Sequence, residues 1–253
     1  MTVGIRIAPN FTIKINNNFP FNKLVLTGVL VMFIEYIFTQ DDGKVLQYKI
    51  DFDRARKHTL DKKLYPNWTQ LDFHQCANCP LKIEEYSHCP VAIDAHEIVL
   101  GFKEILSCKE VDIHVITPER AYFKRTDAQT GLRALIGFVM ASSACPVLSH
   151  MRGMAYYHLP FASLDETVFR VTSSYLLHQY YVYRKNGQFD LEFGGLKKRF
   201  KEMQTLNYHF LERIRAACDA DSNLNVLATL FTISSMLSLS LERHLNEIEY
   251  LFE

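Results

Sequence analysis

The sequence has no excess of charge of either sign and no long block of like charges. Lys and Arg together number 28, as do Asp and Glu, so the formal net charge is zero. Because nucleic-acid binding normally relies on a positively charged patch, this balance argues against a nucleic-acid partner. Internal repeats, a Gly-rich phosphate loop, a serine elbow and an HExxH motif are also absent. No complete catalytic motif therefore identifies an enzyme.

Long apolar runs are missing too. Residues 24–38 are interrupted by Glu35, and residues 226–241 are rich in Ser and Thr, so both segments are too short to cross a bilayer. Six cysteines are too few for a disulfide scaffold in a chain of 253 residues, which is long enough to bury a hydrophobic core. We therefore predict a cytoplasmic protein with no membrane segment.

Strand patterns occupy the first half of the chain. Residues 34–39 and 45–52 alternate between apolar and polar side chains on either side of Asp41-Asp42-Gly43, which is typical of a hairpin with one buried face. Residues 111–116 and 121–125 predict a second hairpin around Thr117-Pro118-Glu119.

Helical spacing appears at residues 91–106 and dominates from residue 126 onward. Capping boxes at 126–129 and 163–166 each predict a helix start, and Gly187 is a predicted C-cap. Further helices are predicted at 196–214 and 224–252. Strands followed by helices indicate an α+β fold, in which a small antiparallel sheet of two hairpins carries a cysteine-rich metal loop and precedes a C-terminal helical bundle.

The chain divides into three predicted regions. Residues 1–31 show no clear period and end just before Met32, so we interpret them as an extension upstream of the natural start or as a disordered leader. An extra strand at 12–15 is the alternative. Residues 32–125 are predicted to form the sheet with its cysteine-rich loop, and residues 126–253 the helical region packed on it.

The strongest chemical signal is Cys76-Ala77-Asn78-Cys79, followed by Cys89. Two thiolates at this spacing can reach one cation from a single tight turn, and a third completes most of a tetrahedron. The surrounding loop is polar and broken by prolines, so a bound metal would compensate for its lack of core. We expect Trp68, the single tryptophan, to anchor this loop.

Cys145 is the favoured fourth ligand because Cys79, Cys89 and Cys145 all precede a proline. At a helix start, the dipole and free N–H groups favour a thiolate. Zinc is the default metal for such a sulfur-rich site, an iron–sulfur cluster is the alternative, and free cysteines without metal are a third interpretation. Other candidates for the fourth ligand are His74, His88, Cys108 and His158.

Two functions remain open at this point. The first is a zinc-stabilised regulatory or partner-binding module. The second is a redox or metal-dependent enzyme, with an iron–sulfur cluster or an open zinc position near Cys145 and His158. A row of tyrosines could line a ligand pocket, although packing in the core or against a partner helix is the commoner role at helical spacing: Tyr175, Tyr180, Tyr181 and Tyr183.

Several strings together resemble a bacterial domain family of unknown function that is found chiefly in proteobacteria. The likeness runs from Met32 to the end. It implies a shared site at Cys76, Cys79, Cys89 and Cys145 and supplies no activity. Ser143-Ala144-Cys145 stands where Ser-Gly-Cys is expected, and the loss of a glycine can alter that turn. The strings are PNWTQL (66–71), CANCPL (76–81), CPVA (89–92), LIGFVMASSACP (135–146), HLPFA (158–162) and YLLHQY (175–180).

Overall fold

The structure, a computed structural model, describes residues 4–8, 11–14, 32–52, 54, 65–103, 105–217 and 221–253. The chain divides into two compact units, Met1–Val31 and Met32–Glu253. In the first unit, β1 (Gly4–Ala8) and β2 (Phe11–Lys14) pair antiparallel. The interpretation of 1–31 as an extension or leader stays a prediction, since most of that region lies outside the described residues.

A four-stranded antiparallel sheet opens the second unit. Its strands are β3 (Phe33–Gln40), β4 (Val45–Asp51), β5 (Glu110–Ile116) and β6 (Ala121–Asp127), in the order β4-β3-β5-β6. Both predicted hairpins are thereby confirmed. Alternate residues of β3 and β5, including Tyr36, Phe38 and Ile113, are fully buried on one face. The period-2 pattern places these apolar side chains against the helices.

Helices make up most of the rest of the second unit. They are α1 (Pro90–Gly101), α2 (Ala128–Ser142), α3 (Arg152–Tyr156), α4 (Leu164–Asn186), α5 (Gly194–Ala217) and α6 (Asp221–Ile248), with 3-10 helices at Asn67–Thr69, Pro146–Met151 and Glu249–Phe252. Helix α6 loses regular geometry at Ser240, where φ is −131° and ψ is 24°. This arrangement confirms the α+β class.

The predicted start of α2 needs one correction. Strand β6 continues to residue 127, so Asp127 rather than Thr126 caps the helix. The Asp127 carboxylate accepts a hydrogen bond from the backbone N–H of Thr130 at 2.8 Å. The second predicted capping box is confirmed, because Ser163 and Glu166 bond reciprocally at the start of α4.

Two apolar clusters stabilise the second unit. The larger joins the buried face of the sheet to α1, α2, α5 and α6. At its centre the rings of Phe38 and Phe102 meet edge to face with their centroids 5.0 Å apart. The smaller cluster lies between α4, α5 and α6 and includes Val168, Phe200 and Leu241. Helix α5 therefore contributes to both clusters.

Within the described ranges, no single helix is both long and apolar enough to cross a membrane. Two bent pairs, Ala128–Ser142 with Pro146–Tyr156 and Leu224–Leu237 with Leu239–Phe252, meet that test by length and composition alone.

Candidate functional site

The cysteine-rich segment is closed at its base by backbone pairing. Gln70 and His88 form an isolated antiparallel bridge, and the N–H of Cys89 donates to the carbonyl of Thr69 at 2.8 Å. Trp68 is buried, as predicted, and Thr69 is fully buried. The loop between 70 and 88 therefore leaves and returns to the core at one place, which brings Cys89 to its base.

Cys76 and Cys79 lie on one tight turn. The N–H of Cys79 donates to the carbonyl of Cys76 at 2.9 Å. The side-chain amide of Asn78 ties the turn to α5, since it donates to the carbonyl of Glu202 at 3.0 Å. The predicted turn between the first two cysteines is thus present, and it is held against a helix from the other end of the chain.

Cys89 and Cys145 each stand directly before a proline at a helix start. Cys89 is the N-cap of α1, and Cys145 is the N-cap of the 3-10 helix Pro146–Met151. Burial raises the pKa of each thiol, and the following backbone N–H groups partly offset this effect, those of Ala92 and Val91 at Cys89 and those of Leu148 and Val147 at Cys145. N–H groups at a helix start favour a negative sulfur.

The four thiols lie within electrostatic reach of one another. Burial is the largest cause that raises the pKa of Cys76 to about 12, and the neighbouring Cys89, Cys145 and Cys79 raise it as well. Burial also raises the pKa of Cys145 to about 11, with smaller contributions from Cys89 and Cys79. All four are free thiols, and Cys145 is the most deeply buried. The four cysteines therefore influence one another's pKa, while their role as a shared site stays a prediction.

A buried arginine stands beside these thiols. Arg213 of α5 is 2% exposed, and its Nη1 donates to the carbonyls of Trp68 at 2.7 Å and Gln70 at 2.6 Å. Its Nη2 donates to the carbonyl of Leu71 at 3.2 Å. Burial lowers the pKa of Arg213, whereas Cys89, Cys76 and Cys79 raise it. Asp72 raises the pKa of Arg213 as well, but no described carboxylate forms an ion pair with the guanidinium.

Among the residues that the structure describes, no group of three or more His, Cys, Asp or Glu side chains is arranged so that it could hold a metal ion. The thiols are neighbours and do not have a ligand geometry. The alternative ligands have other surroundings. The Nδ1 of His88 lies 2.7 Å from the Ser87 hydroxyl, the ring of His74 packs against Phe73, and Cys108 is exposed.

His158 belongs to a different part of the molecule. Its Nε2 lies 2.6 Å from the hydroxyl of Tyr36, and its ring packs 5.1 Å from that of Phe138. Burial lowers the pKa of His158 to about 3, with a smaller contribution from Arg170. No cysteine contributes to that shift. The structure thus does not bring His158 to Cys145.

The sequence interpretation missed Arg213, although a signal was present. Phe210, Arg213 and Ile214 lie three and four residues apart, so they share one face of α5. Phe210 and Ile214 are buried there. A cation inside an apolar stripe predicts a buried charge, and a buried charge requires partners.

Fold and contacts together define an α+β protein in which a buried arginine of α5 holds the base of a cysteine-containing loop. The chain belongs to the family described as Domain of unknown function (DUF6901), whose model matches residues 34–253. The family resemblance is thereby supported, while the bacterial origin and the individual motifs stay predictions. No curated protein and no solved structure matches the chain.

Proposed function

We propose that Cys76, Cys79, Cys89 and Cys145 bind one zinc ion in a closed site, and that this site stabilises a regulatory or partner-binding module. The observation that supports the proposal is the convergence of the four thiols from three separate segments of the chain. A tight turn and two proline-linked helix starts are suitable supports for thiolate ligands, because each leaves backbone N–H groups near the sulfur.

Arg213 supports the same proposal. A zinc ion with four thiolates carries a net negative charge, and burial of that charge requires compensation. The guanidinium lies among the thiols and is fixed by three backbone carbonyls. Without a metal the thiols are neutral and do not balance the positive charge of Arg213. The buried cation therefore favours a negatively charged group beside it, such as a zinc ion with four thiolates.

Zinc binding requires the thiols to move closer together than they lie in this structure. Cys76, Cys79 and Cys89 are only partly buried, and the segment around them is built mainly of turns. Such a segment can rearrange locally while the sheet and helices keep their packing. The binding free energy then orders the loop, which is the usual role of a structural zinc site.

The enzyme alternative receives less support. A nucleophilic cysteine needs a lowered pKa, whereas burial raises the pKa of Cys145 to about 11. His158, which that alternative places near Cys145, is paired with Tyr36. An iron–sulfur cluster would use the same four thiolates, so we keep it as an outcome of the metal test.

The proposed partner surface lies on α4. Tyr180, Tyr181 and Tyr183 are about half exposed, at 48%, 53% and 53%, and Leu177 beside them is 55% exposed. Aromatic side chains of this kind are enriched at protein interfaces. Tyr175, in contrast, is buried in the smaller apolar cluster.

The free thiols of the described cysteines suit a reducing compartment such as the cytoplasm, which is part of the proposal.

The experiment is elemental analysis with an absorption spectrum, on the full chain purified without oxygen. We expect one equivalent of zinc and no absorbance in the visible. At free zinc about a thousandfold above Kd, linkage adds about 4 kcal/mol to the free energy of unfolding, so a chelator should lower Tm strongly.

The matched control separates a specific site from general thiol binding. Cys76→Ser and Cys145→Ser should each lose most of the zinc, whereas Cys108→Ser, at an exposed cysteine, should keep one equivalent. Failure of the purified chain to take up added zinc would contradict the proposal, as would equal loss in all three variants. Iron, sulfide and a broad visible band would favour the cluster instead.

A further inference from the structure

A cavity of about 210 Å³ lies among the helices of the second unit. Its walls come from α2, α3, α4, α5, α6 and the segment 158–162. The cavity is larger than an engineered cavity of about 150 Å³ that binds benzene, and smaller than the pockets of about 300–1,000 Å³ that hold drug-sized ligands. Its size therefore fits a small organic molecule.

The walls are mainly apolar. They include four methionines and three phenylalanines among the larger side chains: Met140, Met151, Met154, Met203, Phe138, Phe161 and Phe200. Methionine side chains are unbranched and adaptable, so they accept apolar ligands of varied shape. The cavity thus offers an apolar ligand a mainly apolar wall, whose burial on binding is favourable.

The charge on the walls has one sign. The described residues that line the cavity include Arg133 and Arg170 and no aspartate or glutamate. Arg170 has structural partners, because its Nη2 donates to the carbonyls of Met154 at 3.0 Å and Tyr157 at 2.6 Å. Arg133 makes no hydrogen bond or ion pair with any residue in the described part of the chain. Its guanidinium is therefore available to an anionic group.

His158 adds a neutral imidazole to the same walls, because burial lowers its pKa to about 3. Its Nε2 is paired with the Tyr36 hydroxyl at 2.6 Å. Arg133 is then the lining cation without a described partner, and this favours a ligand with acceptor oxygens.

Gly137 marks the open space beside α2. An added Cβ at this position would meet no atom within 4 Å, although the residue lies in the middle of a helix. A larger side chain here would project into the cavity without displacing a neighbour. The position therefore provides a way to fill the site while the fold is kept.

We propose that this cavity binds a small apolar carboxylic acid, whose hydrocarbon part lies among the methionine and phenylalanine side chains and whose carboxylate pairs with Arg133. This proposal is independent of the proposed zinc site at Cys76, Cys79, Cys89 and Cys145. Charge complementarity and the absence of a lining acid select a carboxylate over an amine, and the apolar walls exclude a small hydrophilic anion.

The test measures octanoate binding to the full chain at one fixed metal content by titration calorimetry, with octanol and octylamine as head-group controls. We expect octanoate to bind most tightly and octylamine most weakly. Arg133→Gln should raise the Kd of octanoate about tenfold and leave that of octanol nearly unchanged. Arg120→Gln, at an exposed arginine in the β5–β6 turn, should behave like the parent chain.

Gly137→Leu should abolish binding of both octanoate and octanol, because the added side chain fills the cavity. Gly137→Ala should retain the fold and weaken binding only slightly, which keeps the test valid if the leucine variant fails to fold. Equal binding of octanoate and octylamine would overturn the proposal. So would unchanged binding in a folded Gly137→Leu variant, or no octanoate binding at millimolar concentration.

Discussion

Replacement of Arg213 by methionine should destabilise the protein strongly, even though methionine has a similar length and suits an apolar environment. The guanidinium is 2% exposed and supplies hydrogen bonds to the backbone carbonyls of Trp68, Gln70 and Leu71. These carbonyls begin the cysteine-rich loop. The substitution therefore removes the link between α5 and the base of that loop.

Three contributions set the size of the stability change, of which the first is destabilising and the other two are stabilising. Each buried carbonyl left without a donor loses about 1–3 kcal/mol, so those of Trp68 and Leu71 account for about 2–6 kcal/mol. The carbonyl of Gln70 still accepts from the N–H of Phe73 at 3.3 Å. Removal of a buried cation returns part of its desolvation penalty, which amounts to several kcal/mol. Methionine also buries apolar surface. We expect a net loss of about 2–4 kcal/mol in the free energy of unfolding, a large share of the total stability of a domain.

Urea unfolding of the purified chain measures this loss, and Arg215→Met provides the matched control. Arg215 lies two residues away on the same helix, but it is exposed and pairs with Glu212 at 2.6 Å. Loss of such an exposed pair should change stability by about 0.5 kcal/mol or less. The reasoning is refuted if Arg213→Met and Arg215→Met differ by less than about 1 kcal/mol. Arg213→Lys keeps the positive charge and loses the planar pair of donor nitrogens, so its loss of stability should lie between those of the other two variants.

Two further predictions concern stability. Burial lowers the pKa of His158 to about 3 and of His150 to about 4, from 6.5. Between pH 6.5 and these lower pKa values the unfolded chain binds protons that the folded chain does not. The stability present above pH 6.5 should therefore be lost as the pH falls through this range. Each histidine contributes a loss of up to about 1.4 kcal/mol per pH unit. In urea titrations His158→Gln should flatten this dependence, and an unchanged slope would contradict the assignment. Gly131→Ala should destabilise by about 1–3 kcal/mol, because its Cβ would lie 2.2 Å from Ile113 Cδ1, whereas Gly137→Ala in the same helix should stabilise by about 0.5–1 kcal/mol. Thermal melts of the two variants should shift in opposite directions, and a shift of the same sign would refute the packing argument.

The sheet was predictable because its signal is local. In β3, Ile34, Tyr36 and Phe38 alternate with more exposed residues, and burial follows the same period. The turn after β3 contains Gly43 at φ 83°, a conformation that favours glycine. Both pieces of information lie within a few residues of each other, so the hairpin can be recognised without knowledge of the rest of the chain.

The end of α1 was less predictable because a distant contact decides it. The apolar pattern predicts a helix to residue 106, but α1 ends at Gly101. A Cβ at residue 101 would lie 2.0 Å from the Tyr48 hydroxyl, so the helix passes very close to strand β4 there. Phe102 and Ile105 remain buried after the helix ends, which explains why the apolar spacing continues beyond it.

The candidate site also combines features that are local in the sequence with features that depend on distant contacts. The spacing of Cys76 and Cys79 and the repeated Cys-Pro step are local patterns, so these residues could be selected from the sequence. The pairing of Arg213 with residues 68–71 joins positions more than 140 apart in the chain. The separation of His158 from the thiols is equally non-local, because it results from the pairing of His158 with Tyr36 of β3. Sequence order alone could decide neither.

Helices α2 and α5 connect the proposed zinc site with the cavity, and this affects how each is tested. Helix α2 lines the cavity with Gly137 and Ala141 and leads, a few residues later, to Cys145. Helix α5 lines it with Met203 and carries Arg213 about 15 Å further along its axis, at about 1.5 Å per residue. Zinc-driven movement of Cys145 would act directly on the end of α2. Cavity affinities are therefore meaningful only at a fixed metal content, which is why the octanoate titration holds that content constant.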